Sequence, residues 1–273
     1  MAGNMLSERR GTVTIKPDNF VDVVASIVAE NKKSSAAGLG PLLGVGIGIG
    51  GLIDQKKARI RYSVPLNILG NVELGENLAS VVDVPCYVEN DANCCAWGEL
   101  AFSRNDDLRN FLFALVEYRK DRESIEQHGG IGVGFGIVLG GKVYTGSHGN
   151  AGEFRSAFCD GKGDLQFSLT KAELSRLYRD RWVLERVSDE LARNVALLIN
   201  TMDFERVYIG GDIEELEIDF PSILMKRLEE NWMYPFPKNI EIRYSSLGGK
   251  AVAYGAAGMI LDRLASESLL PGL

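Results

Sequence analysis

The 273-residue sequence is short of histidine, of cysteine and of positive charge, and each shortage removes a class of chemistry. Its two histidines, His128 and His148, and its four cysteines, Cys86, Cys94, Cys95 and Cys159, contain no Cys-x-x-Cys pair. Neither a zinc site nor a disulfide framework is therefore written in the spacing. Thiols of this kind suit a reducing compartment. Thirty Lys and Arg against 37 Asp and Glu leave a net charge of −7, without the basic face or stripe that nucleic acid selects. No apolar run approaches the roughly 20 residues of a membrane span, and the polar segment Met1 to Arg10 has no apolar signal-peptide core. The expectation is a soluble, cytoplasmic protein that touches neither membrane nor, by itself, DNA.

What is present is ordinary globular material, 45% hydrophobic and 25% charged, long enough for one large domain or two lobes of about 100 to 150 residues. Apolar strand-like runs alternate with helical patterns along the chain, which indicates an α/β fold in two lobes. The division is placed at residues 1–103 and 104–273, where Arg104-Asn105-Asp106-Asp107 has loop composition. Gly11 to Pro17 alternates like a strand and Phe20 to Glu30 reads as a helix behind the capping candidate Asp18. Ile60 to Leu69 reads as extended and Val72 to Val81 as a helix. The mixed charges of Arg119 to Glu126 read as a solvated loop. Thr170 to Leu177 and Trp182 to Thr201 read as helices, the second with Val187, Leu191, Val195 and Leu198 on one stripe. A last helix spans about 250–264, a candidate to pack back on the first lobe. Its Gly255-Ala-Ala-Gly258 points to close helix packing rather than to a site.

The stretch that carries most chemistry is Val88-Glu89-Asn90-Asp91-Ala92-Asn93, where a short apolar strand runs into a helix over Ala92 to Phe102. A carboxylate at such a corner can take the proton of a bound hydroxyl or simply cap the helix, and both uses need the same local geometry. Upstream, the strand Leu42 to Ile49 empties into Gly50-Gly51, where the backbone turns sharply or something approaches it closely. Downstream, Gly129 to Gly141 carries glycine at alternate positions and returns through Lys142 to Tyr144 as a hairpin. The bare face admits a ligand or another backbone; because the run continues as a strand, it is not a Rossmann phosphate loop. Gly146 to Phe154 is a polar loop with one carboxylate, Glu153, after two glycines, and Val207 to Asp212 is a strand ending in Gly210-Gly211. Ligands of open α/β folds bind beyond the carboxyl ends of strands, where Gly50-Gly51, Asp91 and Gly210-Gly211 all fall.

Taken as an ordered set, Gly-Ile-Gly-Ile-Gly-Gly-Leu-Ile-Asp54, Glu-Asn-Asp-Ala-Asn93, the glycine hairpin, Gly-Asn-Ala-Gly-Glu153, Gly-Gly-Asp212 and Gly-Ala-Ala257 resemble the ROK family of repressors, open reading frames and sugar kinases. The resemblance runs from about Gly11 to Leu264. It implies the two-lobed, actin-like ATPase or sugar-kinase (ribonuclease H-like) fold. By resemblance, Asp91 matches the general base that deprotonates a sugar hydroxyl, and Gly51, Asn90 and Glu153 match positions that hold the sugar with it. The positions that match nucleotide-facing parts are Gly132, Gly134, Gly136, Gly210 and Gly211.

Departures from the family pattern bear on activity. No Asp-x-Gly-Gly-Thr hairpin for ATP phosphates precedes Gly11, so the first lobe reads as incomplete. Where the family has Gly-Thr-Gly, Gly130-Ile131-Gly132 offers a hydrocarbon that cannot bond a phosphate oxygen. The family's proline before Gly51 is Gly50. The family's histidine after Gly-Glu is Ser156, and its zinc-binding cysteine run is reduced to Cys159, so no structural zinc is expected. The resemblance then implies the sugar-binding effector part of a transcriptional regulator, homodimeric, without kinase activity, and reaching DNA only through a segment not in this sequence. The alternatives are a sugar kinase using ATP and Mg²⁺ with Asp91 as base, and a degenerate fragment that binds nothing.

Overall fold

The structure is a computed structural model. It describes residues 5–9, 11, 13, 15–35, 40–102, 108–119, 125, 126, 128–161 and 163–266, without the side chains of 33–35. The chain divides into two compact units. The first comprises residues 1–104, 145–150 and 250–273, the second residues 105–144 and 151–249.

The first unit begins with helix α1 (Phe20–Ser35). Strand β1 (Val45–Ile49) lies parallel to β5 (Cys86–Asn90), with Ile49 opposite Asn90. Strands β2 (Leu52–Asp54), β3 (Arg59–Tyr62) and β4 (Val72–Glu73) form a small antiparallel sheet, and the short helix α2 (Gly75–Val81) follows. Helix α3 (Asp91–Phe102) starts on the residue after β5. Phe20, Ile49, Ile53, Ile60, Leu74, Leu78 and Val88 close the core of this unit. Helix α7 (Ala251–Ser266), from the far end of the sequence, belongs to it as well. Its small residues explain how close it comes: a Cβ on Gly255 would overlap the Cys94 carbonyl oxygen on α3, and one on Gly46 of β1 would overlap the Ala256 carbonyl.

The second unit is built on one five-stranded sheet, in the order β10 (Glu241–Tyr244), β9 (Arg206–Gly211), β6 (Phe111–Tyr118), β7 (Ile131–Leu139), β8 (Lys142–Val143). Strands β6, β9 and β10 are parallel to one another, while β7 and β8 complete it antiparallel. Strand β6 is central and reads Phe-Leu-Phe-Ala-Leu-Val, buried on both faces as an interior strand requires. The single turn α4 (Lys171–Leu174) carries a full capping box from Thr170 and Glu173. Helix α5 (Arg181–Met202) lays Val183, Val187, Leu191, Val195 and Ile199 into the core, and α6 (Phe220–Asn231) adds Phe220, Leu224 and Leu228.

Differences from the sequence expectations are local. The described residues between Gly11 and Pro17 form no strand. Strand β3 ends at Tyr62, because Asn67 takes a positive φ of 50° and closes a turn in which Ser63 and Ile68 bond each other's backbone. Val72 and Glu73 pair with β3 before helix α2 begins. The helix expected over Thr170 to Leu177 ends at Leu174 and continues as turns. Residues 104–107 and most of the charged run after Arg119 lie outside the described residues. Among the described residues no helix is long and apolar enough to cross a membrane.

Candidate functional site

The parallel register of β1 and β5 brings two strand ends together, with Gly50-Gly51 following β1 and Asn90 closing β5 just before Asp91. Each turn has its own physical requirement. Gly51 has φ 136°, and a Cβ there would overlap the Tyr62 carbonyl oxygen, so only glycine fits. Gly50 is held by Ser63, whose hydroxyl donates to its carbonyl at 2.6 Å. The space a side chain on Gly50 would need is taken by the Asp91 carboxylate, with Oδ2 2.8 Å from an ideal Cβ. The glycine pair is thus explained by the chain's own packing, and it leaves Asp91 against bare backbone.

Capping is divided between the two polar side chains of the corner. Asn90 Oδ1 accepts from the backbone N–H of Asn93 at 3.1 Å, the reach from N-cap to third helical residue. Asn90 Nδ2 donates to the Gly51 carbonyl at 3.1 Å. Asp91 Oδ1 accepts from the Ala92 N–H at 2.8 Å. Helix α3 therefore has its cap in Asn90, and Asp91 sits one position further on, its other oxygen over Gly50. As the first residue of the helix, its negative charge is also favoured by the helix dipole.

Behind these residues lies a cluster that sequence reasoning passed over. Glu89 is 1% exposed. Its carboxylate accepts from the Asn90 N–H at 2.7 Å, from Asn93 Nδ2 at 3.1 Å and from Gln55 Nε2 at 2.6 Å. Burial raises the Glu89 carboxyl above the ordinary glutamate range, against the opposing pull of those donors and of the Arg263 charge. Burial, with the Glu89 and Asp91 charges behind it, also raises the Cys94 thiol well above its usual range, so Cys94 is a packing residue rather than a nucleophile. The spacing of Glu89 and Asn93, four apart, was the one sequence signal for this cluster; Gln55 gave none.

In the second unit the glycines have neighbours too. Gly210 lies under Phe113, whose ring would meet a Cβ at 2.6 Å, and Gly211, at φ 89°, would overlap the Val116 carbonyl. Asp212 Oδ2 accepts from the Tyr118 N–H at 2.6 Å and ties this turn to the end of β6. Of the hairpin glycines, Gly132, Gly134 and Gly136 stand opposite Glu117, Leu115 and Phe113 on β6. The free edge of β7 takes another backbone: Phe135 N–H donates to the Gly152 carbonyl at 2.9 Å, and Glu153 bridges Gly134. The Glu153 side chain keeps contact with solvent, yet partial desolvation raises its carboxyl. Ile131 points into the core at 5% exposure. Ser156 is buried and its hydroxyl accepts from Asn194 Nδ2 at 3.1 Å, while Gln166 clasps both the N–H and the carbonyl of Val133. Among the described residues no group of three or more His, Cys, Asp or Glu is placed to hold a metal ion.

Comparison with known proteins bears on the family and the fold. The family model described as "ROK family" matches residues 1–155. The chain is 31% identical over 152 residues to a glucokinase of Streptomyces coelicolor, covering 56% of this chain and 42% of that one. It is 28% identical over 231 residues to a putative xylose repressor of Caldicellulosiruptor sp. (strain Rt8B.4), covering 84% and 52%. The chain thus spans about half the length of these curated relatives. Among solved structures, a ROK family transcriptional regulator homologous to the E. coli MLC protein superposes with a TM-score of 0.68 at 20% identity, over 92% of this chain and 72% of that one. The Glu-Asn-Asp-Ala-Asn corner lies inside the matched segment, and the chain belongs to the ROK family, with the actin-like ATPase fold of its sugar kinases and regulators.

Proposed function

We propose that this chain is the sugar-binding effector part of a ROK transcriptional regulator, cytoplasmic and homodimeric, and that it does not transfer phosphate. The observation that carries the sugar reading is the corner itself. Asp91 lies beside Gly50 with its backbone on a fixed strand and helix, so its carboxylate can accept a hydrogen bond from a sugar hydroxyl without the chain having to order first. Asn90 keeps one N–H and one lone pair beyond its internal bonds. Monosaccharide hydroxyls suit such acceptor and donor edges.

The absence of catalysis rests on the nucleotide side. Phosphoryl transfer is mostly positioning and charge stabilisation around the γ-phosphate. At the position that resembles the second phosphate loop, Ile131 is committed to the hydrophobic core. Gly210 and Gly211 are accounted for by Phe113 and Val116. Neither ATP nor Mg²⁺ is therefore assigned a role. The contrary reading, a sugar kinase with Asp91 as general base, is favoured by the likeness to a glucokinase across the segment that contains Asp91.

One pair of measurements separates the two. A monosaccharide panel is expected to raise the melting temperature of the wild type in a concentration-dependent way, and Asp91→Ala to lose that response. A coupled ADP-release assay with hexoses, pentoses and N-acetylated sugars is expected to show no turnover. Turnover in wild type that vanishes in Asp91→Ala would make the chain a kinase. A folded wild type that responds to no sugar would leave Asp91 as a helix-terminal residue only.

A further inference from the structure

We infer that Glu89 is a positioning residue of the Asp91 corner: its buried carboxylate joins Gln55, the Asn90 backbone and Asn93 into one rigid support, and thereby fixes the orientation in which Asn90 and Asp91 meet a sugar. The inference rests on the sugar reading for its functional part, and on geometry alone for its structural part.

Four observations lead there. Glu89 has almost no contact with solvent and no place in the deprotonation of a substrate, so its charge is held there at a desolvation cost that only its partners offset. Those partners come from three places: Gln55 just after β2, Asn90 at the end of β5, and Asn93 in the first turn of α3. Asn93 is also 2% exposed, and its Oδ1 has no hydrogen-bond partner. Its amide is therefore turned by Glu89 and not by anything on its other side. Finally, the backbone N–H of that same Asn93 is the one Asn90 Oδ1 accepts, while Asn90 Nδ2 reaches Gly51. The carboxylate thus grips both ends of the Asn90–Asn93 cap, and the cap sets the Gly50-Gly51 turn against which Asp91 lies.

Chemistry predicts a specific pattern of substitution. One oxygen, Oε1, accepts from Asn90, Asn93 and Gln55 alike. A glutamine at 89 keeps that oxygen for Asn90 and Asn93, and Gln55 can turn its own amide to accept from the new N–H. An alanine leaves three donors without an acceptor. The role is positional and not one of charge, so Glu89→Gln should rescue what Glu89→Ala loses.

The test measures monosaccharide affinity by calorimetry, at a temperature where every variant is folded, with the sugar that gives the largest shift in the panel. Amide hydrogen exchange across residues 49–56 and 88–95 is followed in parallel without sugar. Glu89→Ala, and Gln55→Ala as the milder cut should Glu89→Ala fail to fold, are expected to weaken binding about tenfold or more, the size of effect seen when outer supports of a site are lost. Both are expected to speed exchange at Asn90 to Asn93, with Glu89→Gln close to wild type in each readout. Wild-type affinity in Glu89→Ala and Gln55→Ala overturns the inference, as does a Glu89→Gln variant as defective as the alanine. If wild type binds no sugar, the sugar reading fails on its own. The exchange data then decide the support: unchanged protection in both alanine variants overturns it, and faster exchange at the corner alone upholds it.

Discussion

Asn90 Nδ2 donates to the carbonyl of Gly51 at 3.1 Å, so the cap of one helix is also the clamp on the turn that ends the neighbouring strand. Two segments 39 residues apart in sequence are fixed by one amide, and the consequences can be measured.

Replacing that amide removes two bonds at once. Asn90→Ala is expected to destabilise the chain by about 1–2 kcal/mol, the range for losing an N-cap together with a partly buried hydrogen bond. Urea unfolding measures it. A loss below about 0.5 kcal/mol, within the range of ordinary surface substitutions, would mean that the cap and clamp do not hold in solution.

Gly50→Ala probes the site without removing a polar group. An alanine Cβ would stand 2.8 Å from Asp91 Oδ2 and 3.0 Å from the Pro65 ring, so the end of the carboxylate side chain has to shift. Stability should fall by no more than about 1 kcal/mol, while the sugar-induced melting shift should shrink markedly. An unchanged sugar response would place the bound sugar away from the Gly50 side of Asp91.

Gly255→Ala acts elsewhere, on packing. Its Cβ would overlap the carbonyl oxygen of Cys94, a backbone atom that cannot rotate away, so α7 must separate from α3. About 3 kcal/mol or more of destabilisation is expected, against less than about 0.5 kcal/mol for Gly40→Ala, where nothing lies within 4 Å. Equal melting temperatures for the two variants would contradict this packing.

The buried carboxylate makes stability depend on pH in a stated direction. The folded-state pKa of Glu89 lies above its unfolded value, because burial disfavours the charge more than Asn93, Asn90, Gln55 and the Arg263 charge favour it. The folded state therefore holds this proton more tightly. Its contribution is fully present below the ordinary glutamate range and is lost as pH rises through the folded value. Unfolding free energies from pH 4 to pH 8 should show wild type losing ground to Glu89→Gln as pH rises. A difference that stays flat would mean the pKa is not raised.

Metal content is the last expectation. Ser156 bonds Asn194 and Gln166 clasps Val133, so side-chain amides tie the segment around Ser156. Elemental analysis of purified protein should find far less than one zinc per chain. A stoichiometric zinc that resists chelators would refute this.

Much of the architecture could be read from one-dimensional pattern. The unbroken apolar run Phe111 to Val116 is legible as a strand, and the stripe on α5 as a helix with one apolar face, because burial on two faces or one is a property of local order. The family was legible as well, through an ordered series of glycines and carboxylates. Even the small residues of α7 signalled close packing. In each case a residue and its near neighbours contain the relevant physics.

What only the tertiary structure decided is who meets whom. Sequence left Asp91 as either cap or base; the three-dimensional register gave the cap to Asn90 and put Asp91 beside Gly50. It also assigned Gly210 to Phe113 and Gly152 to the Phe135 carbonyl, uses that glycine spacing cannot distinguish from ligand contact. Gln55 became part of the site only because β2 delivers it to Glu89, 34 residues away. Hydrogen bonds between distant segments depend on sheet register and helix placement, which the whole chain fixes at once, so no local pattern can encode the partner of a single polar side chain.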